Sequence, residues 1–188
     1  DYVETIFQER PKGMWLAERV YEPHIPKILN KAGVLYTLVD DYHFKAVGVP
    51  EKELYRYFVT EHEGHKLFIF PGLEFLRYAI PFKPIDEIDK YFRGIEDSGN
   101  DLAVFGDDGE KFGLWPGTYE HVYNAGWLKS FFGYLSKNKD WLKTVTFSEY
   151  IDSMPPKSRV YLNCNSYMEM AEWSLPSKKS CVYETCLK

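Results

Sequence analysis

Apolar positions along the chain fall into short blocks that alternate between two periods. Gly13–Ala17 reads as a short strand. Val34–Val39 is a continuous apolar run of strand length, suited to a strand buried on both faces. Lys66–Phe70 and Leu102–Phe105 read as further strands, and Thr144–Phe147 and Arg159–Leu162 as a last pair. Helical periods lie between them. A helix follows Pro23 with Ile25, Ile28 and Leu29 on one face, and Gly33 stands where a helix-ending glycine belongs. Glu51–Tyr57 predicts a short helix. Pro84–Ile95 carries Ile85, Ile88, Phe92 and Ile95 at spacings of 3, 4 and 3, an amphipathic pattern. Tyr119–Leu135 predicts a long helix, weakened by Gly126 and Gly133. From Met168 on the pattern is helical again, with a break at Pro176.

Strands alternating with helices predict an α/β fold: a mostly parallel sheet with helices outside. Polar clusters fall just past the predicted strands. Glu18 follows the first, Asp41 and His43 follow the second, and Asp107 to Glu110 follow Leu102–Phe105. In parallel sheets and barrels that edge carries the active site. No internal repeat, low-complexity tract or linker divides the chain.

Composition narrows the possible partners. Among 188 residues the net charge is −5, which argues against tracking a nucleic-acid backbone. The longest apolar runs are far shorter than the roughly 18 residues a membrane helix needs. Asp1–Arg10 has acidic residues and no apolar core of a signal peptide. Three cysteines cannot all pair internally and form no short metal motif, which suits a reducing, cytoplasmic compartment. Aromatics reach 18%, leaving rings to spare for a cleft lining. The chain opens at Asp1 without methionine and ends on Leu187-Lys188 within a helical pattern, which points to a segment of a larger protein.

Two acidic clusters carry candidate chemistry. In Trp15-Leu16-Ala17-Glu18-Arg19 a carboxylate stands just past a strand, beside a tryptophan. That suits a nucleophile held rigid and ionised, with Arg19 as its cation. It also fits a charge pair facing water. In Asp107-Asp108-Gly109-Glu110, three acids in four residues repel one another, which favours keeping one protonated as a general acid. Trp115 and Tyr119 follow, placed to stack on a sugar. A solvated turn is the competing reading; calcium is disfavoured because the full loop pattern is absent. If both clusters share one rim, two carboxyl groups flank a cleft and glycosidic chemistry follows. Asp41 and His43 are further candidates for a sugar hydroxyl, or a satisfied loop pair. His62-Glu63-Gly64-His65 reads as a polar turn, because a zinc helix motif needs one more residue between the histidines. Glu169 and Glu172 read as a helix surface.

The strings Trp15-Leu16-Ala17-Glu18-Arg19-Val20 and Phe105-Gly106-Asp107-Asp108-Gly109-Glu110-Lys111-Phe112-Gly113 resemble two signature regions of glycoside hydrolase family 57, closest to its 4-α-glucanotransferases and α-amylases. Val39-Asp40-Asp41-Tyr42-His43-Phe44, Trp115-Pro116-Gly117-Thr118-Tyr119-Glu120 and Ser166-Tyr167-Met168-Glu169-Met170-Ala171-Glu172 support the resemblance. It implies an incomplete seven-stranded TIM-like barrel, of which residues 1–188 would be a central part lacking the N-terminal strands and C-terminal regions. The family's first two signature regions and its last are absent from the chain. The resemblance further implies a retaining mechanism with Glu18 as nucleophile and Asp108, not Asp107, as acid/base. Trp15, Glu110 and Trp115 match substrate-contacting positions. The implied partners are an α-1,4-linked glucan and a sugar acceptor, with no cofactor and no metal; an oligomer is compatible. Hydrolysis by the same carboxylates, and a non-catalytic glycan-binding protein that keeps the fold, are the alternatives.

Overall fold

The computed structural model describes residues 2–187. Asp1 and Lys188, on which the reading of a longer chain partly rests, lie outside the described residues. Strands β1 (Gly13–Trp15), β2 (Tyr36–Asp40), β3 (Phe58–His62) and β4 (His65–Gly72) form one sheet in the order β1-β2-β4-β3. β1, β2 and β4 are parallel, with Trp15 opposite Leu38 and Leu38 opposite Phe70. β3 is antiparallel to β4. The α/β reading therefore holds, as a mixed sheet with three parallel strands among the described residues.

Of the run Val34–Val39, predicted to be buried on both faces, Thr37, Leu38 and Val39 are buried, whereas Leu35 before the strand is 47% exposed. Val39 and Ile69 enter one core with Phe44, Phe58, Leu76 and Ile88. Their neighbours Leu38 and Phe70 enter a second core with Tyr57, Val104 and Tyr150. Successive side chains of a strand point to opposite faces, so a central strand with helices on both sides needs apolar residues throughout.

The helices are α1 (Tyr2–Phe7), α2 (Ile25–Lys31), α3 (Asp41–Lys45), α4 (Glu74–Ala79), α5 (Ile85–Asp97), α6 (Trp127–Lys137), α7 (Phe147–Ser153) and α8 (Ser177–Cys186). None is long and apolar enough to cross a membrane, among the described residues. In α5, Ile88, Phe92 and Ile95 are buried as the spacing predicts.

Several elements depart from expectation, each for a local reason. β3 is missed because its alternation is short, and it forms a hairpin whose turn is the polar His62-Glu63-Gly64-His65 segment. Leu102–Phe105 joins no ladder among the described residues; it meets the end of the sheet through Leu73 N–H, which donates to the Val104 carbonyl at 3.0 Å. The predicted helix Tyr119–Leu135 divides into a π-turn at Glu120–Asn124 and α6, because Gly126 takes a left-handed φ of 79°. A residue without Cβ tolerates that geometry at little steric cost. Thr144–Phe147 is not a strand, since Thr146 and Glu149 form a capping box that starts α7. Arg159–Leu162 makes only an isolated parallel bridge, Val59 to Arg159, along the outer side of β3. Glu51–Tyr57 contracts to a single 3₁₀ turn at Glu51–Glu53.

Candidate active site

The three parallel strands end together, and the residues that follow them make one rim. Past β1 the chain turns sharply: Glu18 takes φ 48°, ψ 15° and Arg19 φ 50°. Two successive residues with a Cβ in the left-handed region cost on the order of 1–3 kcal/mol each, and such strain gathers at functional sites. The turn is held from a distant part of the chain. Tyr21 and Asn165 exchange backbone hydrogen bonds of 2.8 and 3.1 Å. Ser166 Oγ donates to the Glu18 carbonyl at 2.7 Å, and the Tyr167 hydroxyl donates to Glu18 Oε2 at 2.8 Å. Burial, followed by the bond to Glu18, raises Tyr167 above the usual phenol range, so it keeps its proton and acts as donor.

Arg19 does not reach into water beside Glu18, which the surface charge-pair reading would require. It is buried at 5% exposure, with its guanidinium 4.0 Å from the centre of the Tyr167 ring and 5.5 Å from that of Trp15. Such cation–ring contacts are worth roughly 0.5–2 kcal/mol. Trp15 remains 41% exposed above this stack.

The second acidic cluster divides into a buried part and an exposed part. Asp107 and Lys111 form an enclosed ion pair, and Lys111 Nζ also donates to the Arg77 carbonyl at 2.7 Å. Asp107 Oδ1 accepts from the Asp108 backbone N–H at 2.9 Å. Asp107 is thus occupied in anchoring the loop, whereas Asp108 and Glu110 are exposed. Trp115 stacks on Phe82 with ring centres 6.3 Å apart and is 42% exposed.

The two clusters meet at Gly106. A Cβ there would lie 3.0 Å from Leu38 Cδ2 and 3.1 Å from Trp15 Cζ3, so a side chain would press on both, and glycine gives the Asp107–Glu110 loop its close approach to the tryptophan three residues before Glu18. Below this contact Arg19, Asp40, Gly72, Arg77 and Gly106 close over a space with no room for a water molecule. An apolar cavity of about 530 Å³, lined by Phe92, Val104, Trp141 and Tyr150 among others, includes neither Glu18 nor Asp108 in its walls.

Asp41 and His43 are placed differently from an expectation of direct sugar contact. Both are buried. His43 Nδ1 lies 3.0 Å from the Asp40 carbonyl and Nε2 lies 2.9 Å from the Arg19 carbonyl, so the ring ties the turn after β1 to the end of β2. Burial lowers its pKa below the usual imidazole range. Asp41 Oδ2 accepts from Lys45 Nζ at 2.9 Å within α3. These residues lie beneath the rim because Asp40 caps α3, accepting the Tyr42 N–H at 3.2 Å, and turns the chain inward.

Three contributors escape sequence reading. Asp40 carries Arg77 Nε at 3.4 Å, and Arg77 reaches on to Glu169 at 3.2 Å. Its guanidinium also stands 5.2 Å from the Tyr167 ring centre. Arg77 has one signal in the sequence, a lone cation among Phe75, Leu76, Tyr78 and Ala79. Tyr167 has none beyond its place in a familiar string. Glu169, read as helix surface, is exposed on the 3₁₀ segment Met168–Ser174 and from there pairs with Arg77.

The chain is similar to proteins of one known family. A family profile described as Glycosyl hydrolase family 57 matches residues 1–163. The chain is 46% identical over 170 residues to a 4-alpha-glucanotransferase of Thermococcus litoralis, covering 90% of this chain and 26% of that protein. It is 45% identical over 178 residues to an alpha-amylase of Pyrococcus horikoshii, covering 94% of this chain and 28% of that protein. The crystal structure of the T. litoralis 4-alpha-glucanotransferase superposes with a TM-score of 0.82 at 45% identity, over 93% of this chain and 27% of that one. The chain therefore spans about a quarter of the length of the relatives it matches.

Proposed function

The chain belongs to glycosyl hydrolase family 57, and from that premise we propose that it carries the catalytic carboxylates of a retaining 4-α-glucanotransferase acting on α-1,4-glucans. The observation that carries the reading is the contact of Trp15 with Gly106. It joins the turn that bears Glu18 to the loop that bears Asp108, 90 residues apart in sequence, on one rim of the parallel strands. In this reading the four strands are part of an incomplete seven-stranded (β/α)₇ barrel, and residues 1–188 are its central portion. Trp15 and Trp115 stack on sugar faces and Glu110 binds sugar hydroxyls. Asp41 and His43 support the rim from below. The protein works in a reducing cytoplasm, which suits the three exposed, unpaired cysteines.

The reaction follows from the two carboxyl groups. Glu18 attacks the anomeric carbon while the glycosidic oxygen leaves with the proton of Asp108. The bonding pair of the broken C–O bond passes to that oxygen, and a glycosyl ester of Glu18 forms. Asp108, now ionised, takes the proton of an incoming sugar 4-hydroxyl, whose oxygen displaces the Glu18 carboxylate. Two inversions give net retention. Asp107 cannot fill the role of Asp108 in this scheme, since Lys111 already holds it.

An α-amylase is the second reading, favoured by the 45% identity to a relative of that name against 46% to the 4-alpha-glucanotransferase; water then replaces the sugar 4-hydroxyl. The complete protein incubated with maltotriose separates the two. A ladder of longer products with glucose is expected; only shorter products would assign it as an amylase. Asp108→Asn is expected to lower kcat by roughly 10²–10⁴-fold. Sugar binding without turnover, unchanged in Glu18→Gln, would make the protein a non-catalytic glycan binder instead.

A further inference from the structure

We propose that Tyr167 is a positioning residue for Glu18, fixing which carboxylate oxygen attacks and stabilising that carboxylate each time it is released. The inference rests on Glu18 being the nucleophile. The Tyr167 hydroxyl donates to Oε2 at 2.8 Å, and Oε1, which takes no side-chain hydrogen bond among the described residues, is the oxygen left for the anomeric carbon. Tyr167 is itself held firmly. Its ring faces two guanidinium groups, Arg19 at 4.0 Å and Arg77 at 5.2 Å. Its backbone neighbours are laced to the Glu18 turn through Ser166 and the Tyr21–Asn165 bridge. The charged groups around it are therefore Glu18 and Arg19 from the turn after β1, Arg77 from α4, and Glu169 on its own segment.

The hydrogen bond has a direction in the chemistry. A hydroxyl donates more strongly to a carboxylate than to an ester oxygen. As Glu18 Oε1 bonds to the sugar carbon, the bond from Tyr167 weakens. As the ester breaks and its electron pair returns to Glu18, the bond strengthens and assists departure. Removing the hydroxyl should therefore slow the second half-reaction most, the step in which the acceptor oxygen displaces Glu18.

The test compares the complete wild-type protein with Tyr167→Phe, which retains the ring beneath both arginines. Activity on a nitrophenyl α-maltoside is expressed per active site, counted by the burst of nitrophenol, so that misfolded protein drops out of the comparison. The expected result is a kcat lower by roughly ten- to a hundredfold with KM lowered, as the glycosyl-enzyme accumulates. A merely structural role would reduce the count of active sites and move neither kcat per site nor KM, and that result overturns the proposal. Glu18→Ala, run alongside with azide, keeps the premise separate. An inactive Glu18→Ala that azide rescues as a glycosyl azide, with Tyr167→Phe equal to wild type, defeats the role of Tyr167 alone. A fully active Glu18→Ala defeats the nucleophile assignment and this inference with it.

Discussion

Asp40 lies beneath the rim at 3% exposure, with Arg77 Nε 3.4 Å away. Burial pushes its carboxyl up to about 6, against the pull of Arg77 and with a further push from Asp41. In the unfolded chain an aspartate ionises near 4. The folded state thus binds this proton more tightly than the unfolded one. The contribution of Asp40 to stability is present in full below about pH 4 and lost as pH rises through about 6. A shift of about two units corresponds to roughly 3 kcal/mol. Asp40→Asn is expected to flatten the pH dependence of stability between about pH 4 and 7, read from denaturant midpoints. The same reasoning gives Arg77→Met a pH-dependent cost. Above pH 7 it strands a buried carboxylate and should cost roughly 3–5 kcal/mol. Near pH 5 Asp40 takes up a proton and the cost should shrink; an equal loss at both pH values would show that Asp40 does not depend on Arg77.

At the scale of elements, the strands with continuous apolar runs were legible in the sequence because both of their faces are buried. Leu38 and Val39 enter different cores, and no other placement satisfies both. Leu102–Phe105 misled because Val104 is a core residue outside the sheet, and periodicity reads burial rather than pairing. The acids of the site were legible as strings, but the supporting polar network was not. Tyr167 reaches Glu18 across 149 residues, and no local spacing records such a contact. Where elements touch, Gly106 is the position that decides the fit of the Asp108 loop against β1 and β2. Gly106→Ala brings a methyl group to 3.0 Å from Leu38 and 3.1 Å from Trp15. Overpacking of this kind should cost roughly 1–3 kcal/mol. It should also displace the Trp15 ring, visible as altered tryptophan fluorescence and a raised KM for maltodextrin. An unchanged KM would separate the loop contact from substrate binding.

For the molecule as a whole, the open side of β1 is the feature with the widest consequence. β1 pairs with β2 on one side and has no strand on the other among the described residues. Met14 and Trp15 are 38% and 41% exposed there. A short, uncharged edge beside exposed apolar side chains invites pairing with another chain. In a closed barrel that side would be covered by a further strand, which is why the proposed fold treats this sheet as part of a larger one. The 188-residue chain alone should therefore associate with itself as its concentration rises, with sedimentation moving from monomer toward larger species. Met14→Lys places a charge on this edge while leaving the Met14 carbonyl free to accept the Thr37 hydroxyl, a bond of 2.7 Å. The variant should hold the chain monomeric over the same concentration range without lowering its melting temperature. Association that persists in Met14→Lys would move the interface away from β1, toward the exposed rings around Trp115 and Tyr119.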